Sequence, residues 1–412
     1  MPEGKTSAEK PELKTSLSLP VGGGPDEFSS PESSLEGNQA IPWDGALLRP
    51  FVSWGRLVFE HSEAEIFHEV IAEGTAYLLY QRIREEADPE VLSSWLFLKL
   101  QQSYYYNLAQ NIYWSEQFLK DFPSITNGTP AILLKGISLL STVYQNPGLR
   151  HLGDIDLLIR KEDYKEVREH LESADYVFSD EMQARADPRD LNSVLCSKES
   201  PSSPQPALHI HWDLINTVLP VSLTNPRVDL DSIWKHSVVL PAHPSFRILS
   251  PNHQIIYYAD HHLKHSFDRL IRLHDLDLTI RHYHDSIDWS EILNETRRFN
   301  LTRTVYYPFH LAKTMLATPI PDSIMDDLRP KKLSLLENRM LQCMDRGGKP
   351  VYGHAIVYLA LQKEWHNKVR FLYRCFFPSL EERNPATLWY LARRTVRGLK
   401  RSFQLIVSLW RK

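Results

Sequence analysis

Short apolar segments in the middle of the chain have the lengths and patterns of β-strands. The run Ala131–Leu134 is wholly apolar, and in the segment Asp154–Ile159 two carboxylates alternate with Ile155 and Leu157. Successive side chains of a strand point to opposite faces, so Ile155 and Leu157 are expected to share a buried face. Between the two segments, residues 138–144 have helical spacing and are followed by Asn-Pro-Gly. The pattern therefore predicts a strand, a helix and a second strand in that order.

Longer stretches on both sides of these strands have the apolar spacing of amphipathic helices. On the N-terminal side, the apolar positions of one helical face include Ile66 and Val70. On the C-terminal side, Asn252 is predicted to cap a helix that runs through His261 and His265. The stretch at 187–206 is rich in Ser, Pro and charged residues and is predicted to be a loop between strands.

These segments together predict an α+β fold, with a small mixed sheet in an α/β core and helical regions on either side. The predicted boundaries are a disordered tail at 1–42, an N-terminal helical region at 43–122, the α/β core at 123–245, a helical domain at 246–387 and a basic amphipathic helix at 388–412.

Two carboxylates lie on one face of the second predicted strand. Asp154 and Asp156 are two residues apart, so they project together from an extended backbone. Carboxylates, waters and substrate phosphates are the ligands that Mg²⁺ prefers, and a pair of such ions can hold a phosphoryl group during transfer. A turn or a solvated strand edge is the plainer interpretation of Asp-x-Asp. The strand, Gly turn and helix that precede the pair favour a site for Mg²⁺ or Mn²⁺.

The segment Lys135-Gly136 follows the first predicted strand and opens the predicted helix. The start of a helix offers free backbone N–H groups to an anion, and Lys135 adds a positive charge. A nucleotide phosphate could therefore lie between Lys135-Gly136 and metal ions at the carboxylates.

At these residues the chain resembles the uncharacterised nucleotidyltransferases of the DNA polymerase β-like superfamily. Their pattern reads Leu-Lys-Gly, then Arg, then Gly-Asp-x-Asp-Leu-Leu, here at Leu134–Gly136, Arg150 and Gly153–Leu158. The resemblance continues through the His-Trp strand at Ala207–Asp213 and a His-rich helical region that ends near Asp275. It covers about residues 60 to 390.

The resemblance implies a metal-dependent transfer of a nucleoside monophosphate from a nucleoside triphosphate to a hydroxyl-type acceptor, which could be a peptide, protein, sugar or small molecule. It also implies Asp154 and Asp156 as metal ligands, with a third acidic ligand from a later strand. The predicted catalytic residues are Asp154, Asp156, His209 and Asp213, and the predicted nucleotide-binding residues are Lys135, Gly136, Ser138, Arg150 and His211.

The third ligand departs from the family pattern. Alternation places His209, His211 and Asp213 on one strand face, yet the position two before His211 is often acidic in the family and is His209 here. Three alternatives stay open: His209 acts as the ligand, Asp213 supplies the carboxylate, or the metal site is incomplete and the protein is a degenerate nucleotide binder. A polar strand face that is merely hydrated would also explain the two histidines.

Two further alternatives concern single motifs. Arg150 is expected to bind phosphate, but it could instead cap the Asn-Pro-Gly turn or pair with a nearby carboxylate. The segment from His261 to His265, followed by His274-Asp275, is also typical of metal phosphohydrolases, which use imidazole and carboxylate ligands to activate water. That chemistry is the rival enzymatic hypothesis.

Composition limits the remaining classes. A net charge of −4 argues against general coating of nucleic acid, which needs a basic domain or stripe. Three scattered cysteines predict no disulfide framework, and the first residues contain no apolar signal segment, so a cytoplasmic location is expected. The basic helix predicted at 388–412 could lie on an anionic membrane, or it could dock on its own domain or on a partner.

Overall fold

The computed structural model describes residues 62–86, 91–179, 192–198, 205–214 and 228–346, together with residues 348 and 369. The tail predicted at 1–42 and the basic helix predicted at 388–412 lie outside these residues. In the described part of the chain, no helix is both long enough and apolar enough to cross a membrane.

The described strands are β1 Ala131–Leu134, β2 Asp154–Leu158, β3 Tyr176–Phe178, β4 Ser193–Lys198, β5 Ala207–His211, β6 Val238–Val239 and β7 Phe246–Ile248. They form one mixed sheet in the order β3-β4-β5-β2-β1-β7-β6. Strand β2 lies between β5, to which it is parallel, and β1, to which it is antiparallel.

Twelve α-helices surround this sheet within the described ranges. They are α1 Glu63–Glu73, α2 Ala76–Glu86, α3 Trp95–Ile125, α4 Lys135–Thr142, α5 Tyr164–Ser173, α6 Leu230–His236, α7 Pro251–Lys264, α8 Leu270–His282, α9 Trp289–Arg298, α10 Thr302–Leu316, α11 Asp322–Leu328 and α12 Leu335–Asp345. The α+β architecture predicted from the sequence, with helical regions flanking a mixed sheet, is confirmed.

Both faces of the sheet are buried at the central strands, which explains the continuous apolar run of β1. On one face, Leu133, Ile155 and Leu157 pack with the C-terminal part of α3 and with α5. On the other face, Ile132 and Leu158 pack with the helices from α7 onward. Because side chains alternate along a strand, Asp156 lies on the same face as Leu158 and is directed towards α7.

Two sequence predictions about local structure were wrong. The stretch at 187–206 contains strand β4, because Val194 and Cys196 pack into the core and alternate with the less buried Leu195 and Ser197. The cap of α7 is Ser250, whose hydroxyl accepts a hydrogen bond from His253 N, while the side chain of Asn252 bonds to Glu291 instead. The high share of Ser and charged residues concealed the short period-two pattern of β4.

Candidate active site

The strand register brings the central residues together. In the parallel pair β2–β5, Asp156 lies opposite His209, and in the antiparallel pair β1–β2 it lies opposite Leu134. His211 is two residues further along β5 and projects from the same face as His209. The first residue after β1 is Lys135, so its side chain begins beside Asp156. Four polar side chains therefore converge over the middle of the sheet.

One oxygen of Asp156, Oδ1, receives the polar contacts of Lys135, His209 and His211. Its Oδ1 lies 2.5 Å from Lys135 Nζ, 2.9 Å from His211 Nε2 and 3.2 Å from His209 Nδ1. Its Oδ2 is buried and has no hydrogen-bond partner among the described residues. Since a buried carboxylate oxygen normally finds a donor, this atom is the feature of the site that most needs an explanation.

Lys135 adopts a backbone conformation that is uncommon for a residue with a side chain. Its φ angle is 48°, in the left-handed region, and α4 starts at this residue without a connecting loop. The side chain is only 17% exposed, which limits screening of its charge by water. The strained start of α4 therefore keeps an ammonium group against Asp156.

The charges around Asp156 act on its ionisation. Burial alone would raise the pKa of this carboxyl group, but Lys135 and the hydrogen bonds from His209 and His211 hold the pKa well below its ordinary value. Burial and the neighbouring His209 lower the pKa of His211 to about 3. Asp156 is therefore ionised and His211 is neutral at pH 7, the protonation states in which carboxylate and imidazole bind metals.

The structure places the other predicted acids at the margin of this cluster. Asp154 lies at the start of β2 and its side chain reaches solvent. The protein atoms around it still displace part of its hydration, and this desolvation together with the charge of Asp156 raises its pKa. Asp213 follows the end of β5 and interacts electrostatically with Lys264 of α7. Within the described ranges, the one group of at least three metal-ligating side chains whose ligand atoms lie within 4.8 Å of one another is Asp156, His209 and His211. We call this trio the carboxylate–histidine cluster.

Arg150 is held by an acid rather than left open to solvent. Its Nε and Nη2 donate to both carboxylate oxygens of Asp275 at 3.0–3.1 Å, and Tyr144 donates to Asp275 Oδ1 at 2.8 Å. Gly136 makes room for this pair, since a Cβ there would lie 2.6 Å from Arg150 Nη1. The alternative in which Arg150 pairs with a carboxylate is the one that the structure contains.

The loop before β2 is fixed by two asparagines that the sequence interpretation missed. Asn107 and Asn111 are one turn apart on α3, and their amides donate to the carbonyls of Gly148, Pro147 and Arg150. Asn111 also accepts a hydrogen bond from Leu152 N at 3.2 Å. The signal available in the sequence was the four-residue spacing of the two amides, which places both on one face of a helix. Amide side chains on a buried face need hydrogen-bond partners, and backbone carbonyls supply them here.

Residues 62–317 match the family model of uncharacterised nucleotidyltransferases, and this range is more than half of the chain. The chain belongs to this nucleotidyltransferase family. The resemblance found at Lys135-Gly136 and in the Gly-Asp-x-Asp segment is thereby confirmed. Comparisons with curated proteins and with solved structures find no significant match.

In this member of the family, one face of α7 closes the site from above the sheet. Tyr257, His261 and Lys264 are spaced at i, i+4 and i+7, so they lie on one side of the helix. The charge of Asp156 acts on both Tyr257 and His261, and that of Lys135 acts on Lys264. Lys264 Nζ is 2.7 Å from Asp260 Oδ2. The site is therefore bounded by the sheet on one side and by a partly cationic helix on the other.

The rival phosphohydrolase hypothesis finds no support in this arrangement. Asp275 is engaged by Arg150 and Tyr144, and His274 packs near the ring of Tyr144 at 6.2 Å. In the described portion of the chain, neither residue belongs to a group of three metal-ligating side chains. Asp275 therefore holds Arg150 in the loop that precedes β2.

Ser138 lies away from the open side of the site. Its side chain is buried on α4 near Tyr258, and its hydroxyl has no hydrogen-bond partner among the described residues. Gly136 is likewise buried beneath Arg150. Of the predicted nucleotide-binding residues on α4, Lys135 is the one whose charged group reaches the carboxylates.

The residues present fit a divalent metal ion. Asp156 offers a buried oxygen without a hydrogen-bond partner among the described residues, and two imidazoles lie on the same side of the sheet. Carboxylate and neutral imidazole are both common ligands of divalent ions. The donor set differs from the predicted pair of carboxylates, because its members are Asp156 and two histidines, with Asp154 nearby.

Proposed function

We propose that this protein is a metal-dependent nucleotidyltransferase that moves a nucleoside monophosphate from a nucleoside triphosphate to a hydroxyl-type acceptor. The observation that carries the proposal is the buried Asp156 carboxylate, which sits between Lys135 and two histidines inside the region that matches the family. A buried anion with a free oxygen and an adjacent cation is suited to bind a metal–phosphate complex.

The residues that would hold the ion are Asp156, His209 and His211, with Asp154 at the open side. When bound, a divalent ion neutralises phosphate charge and makes an acceptor hydroxyl easier to deprotonate. In the transfer, the hydroxyl oxygen forms a bond to the α-phosphorus while the bond to the bridging oxygen breaks. Pyrophosphate leaves, and the hydroxyl proton passes to water.

Lys135 is the proposed phosphate ligand of the protein itself. Its ammonium group lies at the N-terminus of α4, where backbone N–H groups also favour an anion. Arg150 is proposed to act as a positioning residue, because Asp275 already occupies the side of its guanidinium that carries Nε and Nη2. Positioning and charge stabilisation are the main contributions that a protein makes to phosphoryl chemistry.

A specific observation favours a second candidate, a nucleotide-binding protein without transferase activity. Within the described part of the chain, the carboxylate–histidine cluster contains one carboxylate, and His209 stands where the family often has an acid. A site with fewer acids gives less stabilisation to two metal ions. Nucleotide binding that depends on metal, without transfer to any acceptor, would identify this second function.

The test is incubation of the purified protein with each of ATP, GTP, CTP and UTP, labelled on the α-phosphate, and with Mg²⁺ or Mn²⁺. Reactions are run with and without cell extract, which supplies acceptors. The double variant Asp154→Ala, Asp156→Ala is expected to abolish label transfer and pyrophosphate release. The variant Asp285→Ala, at an exposed acid, is the matched control and should keep both activities.

Label transfer that persists in the double variant would refute the proposed function. Nucleotide binding by the wild type without transfer, with extract and with self-modification also examined, would favour the binding protein. The two hypotheses therefore differ in whether the bound nucleotide is turned over: a transferase releases pyrophosphate, and a binding protein does not.

A further inference from the structure

The carboxylate–histidine cluster differs in chemistry from a magnesium site. It offers one carboxylate and two imidazoles, whose rings on β5 have centroids 4.0 Å apart. Mg²⁺ is usually held by oxygen ligands and keeps several waters, whereas imidazole nitrogen suits first-row transition-metal ions. Two histidines with one carboxylate form a ligand set known for divalent transition ions with open coordination positions.

The distances within the cluster fit a common ion. His211 Nε2 and His209 Nδ1 lie 2.9 Å and 3.2 Å from Asp156 Oδ1. With metal–ligand bonds of about 2.1 Å, neighbouring ligands are about 3.0 Å apart in an octahedron and about 3.4 Å apart in a tetrahedron. The 3.2 Å separation lies within this interval and the 2.9 Å separation just below it, and all three ligand atoms lie within 4.8 Å of one another. Side-chain movements would therefore bring the three donors around one ion.

The orientation of His209 is fixed from behind. Its Nε2 lies 3.0 Å from Ser193 Oγ on the neighbouring strand β4, which turns Nδ1 towards Asp156. Metal-binding histidines usually have their second ring nitrogen hydrogen-bonded in this way, since the contact sets the tautomer and the ring orientation. Ser193 thus gives His209 the support expected of a ligand, which a merely hydrated strand face would not need.

We infer that Asp156, His209 and His211 form a binding site for a divalent transition-metal ion, with Mn²⁺, Co²⁺ or Zn²⁺ bound in preference to Mg²⁺. The inference deepens the proposed function, because it assigns the ion class of the same site. It concerns binding in the absence of nucleotide, so it can fail while nucleotidyl transfer stands.

The experiment uses the full-length protein after treatment with a chelator. Dissociation constants for Co²⁺, Mn²⁺ and Mg²⁺ are measured by calorimetry without nucleotide, and the visible spectrum of bound Co²⁺ reports nitrogen ligands. The wild type should bind Co²⁺ more tightly than Mg²⁺. In His209→Asn, the ratio of the two dissociation constants should change by roughly tenfold or more in favour of Mg²⁺.

Two further variants keep the test decisive. Ser193→Ala retains all three ligands and releases the ring of His209, so Co²⁺ affinity should fall by roughly tenfold. His284→Asn changes an exposed histidine outside the cluster and should leave every constant unchanged. Folding of each variant is checked by its thermal unfolding curve.

A ratio of Co²⁺ to Mg²⁺ affinity that stays the same in both His209→Asn and Ser193→Ala would overturn the inference. The same conclusion would follow if His284→Asn lowered Co²⁺ affinity as much as the changes in the cluster. Loss of nucleotidyl transfer with intact Co²⁺ selectivity would instead count against the proposed function alone.

Discussion

Replacing Lys135 by Gln should strengthen metal binding at the neighbouring carboxylate. The Lys135 ammonium lies 2.5 Å from Asp156 Oδ1 and occupies the region from which an ion would approach. A metal ion must displace this ammonium group or share the carboxylate with it, and the two positive charges repel each other. Gln keeps a long polar side chain at the left-handed backbone position while removing the charge.

The size of the effect follows from the burial of the pair. Asp156 is 1% exposed and Lys135 is 17% exposed, so water screens their interaction only weakly. A hydrogen bond between charged groups contributes about 1.5–3 kcal/mol. Without Lys135, the metal ion does not have to compete with this interaction, so its dissociation constant should fall by about ten- to a hundredfold. The free energy of unfolding should fall at the same time, because Asp156 loses its cationic partner.

Calorimetric titration with Mn²⁺ in the absence of nucleotide measures this effect, and denaturant unfolding measures stability. Lys99→Gln is the control, because Lys99 is exposed on α3. Unchanged or weaker Mn²⁺ binding by folded Lys135→Gln would refute the reasoning. Nucleotide binding should weaken in the same variant, so the affinities for metal and nucleotide are expected to change in opposite directions.

Four other changes are tested by denaturant unfolding. Gly136→Ala should lose about 1–3 kcal/mol, because the new Cβ meets the guanidinium of Arg150, which is held in place. Asp275→Asn should cost about 3 kcal/mol or more by leaving a buried Arg150 uncompensated, while Tyr144→Phe should cost about 1 kcal/mol. Burial lowers the pKa of His253 below its ordinary 6.5, so the unfolded chain binds a proton that the folded protein does not. The free energy of unfolding therefore decreases as the pH falls below 6.5. In His253→Gln this decrease should be smaller by up to about 1.4 kcal/mol per pH unit.

Matched variants separate these effects from general damage. Gly153→Ala should be nearly neutral, because its nearest contact would be His151 Nε2 at 3.7 Å. Asp285→Asn and His68→Gln change exposed residues of the same types. If Gly153→Ala destabilised the protein as much as Gly136→Ala, the account of the Arg150 pocket would be wrong. An equal pH dependence in wild type and His253→Gln would contradict the burial argument for that histidine.

The local sequence pattern was sufficient to predict a strand where one apolar run or one alternating face determined its structure. The apolar run Ala131–Leu134 and the alternation after Asp154 specified β1 and β2, because both patterns fit strands that are buried by helices. The motif residues within them led to the nucleotidyltransferase family, which the match over 62–317 shows. The pattern failed at β4, where the buried residues are Ser193, Val194 and Cys196 and polar residues make up half of the strand.

The content of the site was decided by contacts between segments that are distant in sequence. Asp156 meets His209 because β2 and β5 are parallel neighbours in one particular register, and a sequence alone does not fix that register. In the same way, Arg150 meets Asp275 across 125 positions, which made a phosphate role and an ion pair indistinguishable beforehand. The sequence determined which side chains were available and which face of each strand they occupy. The tertiary structure decided that Asp156 shares its oxygen with Lys135 and two histidines, while Asp154 and Asp213 lie at the margin, because only packing sets distances between elements.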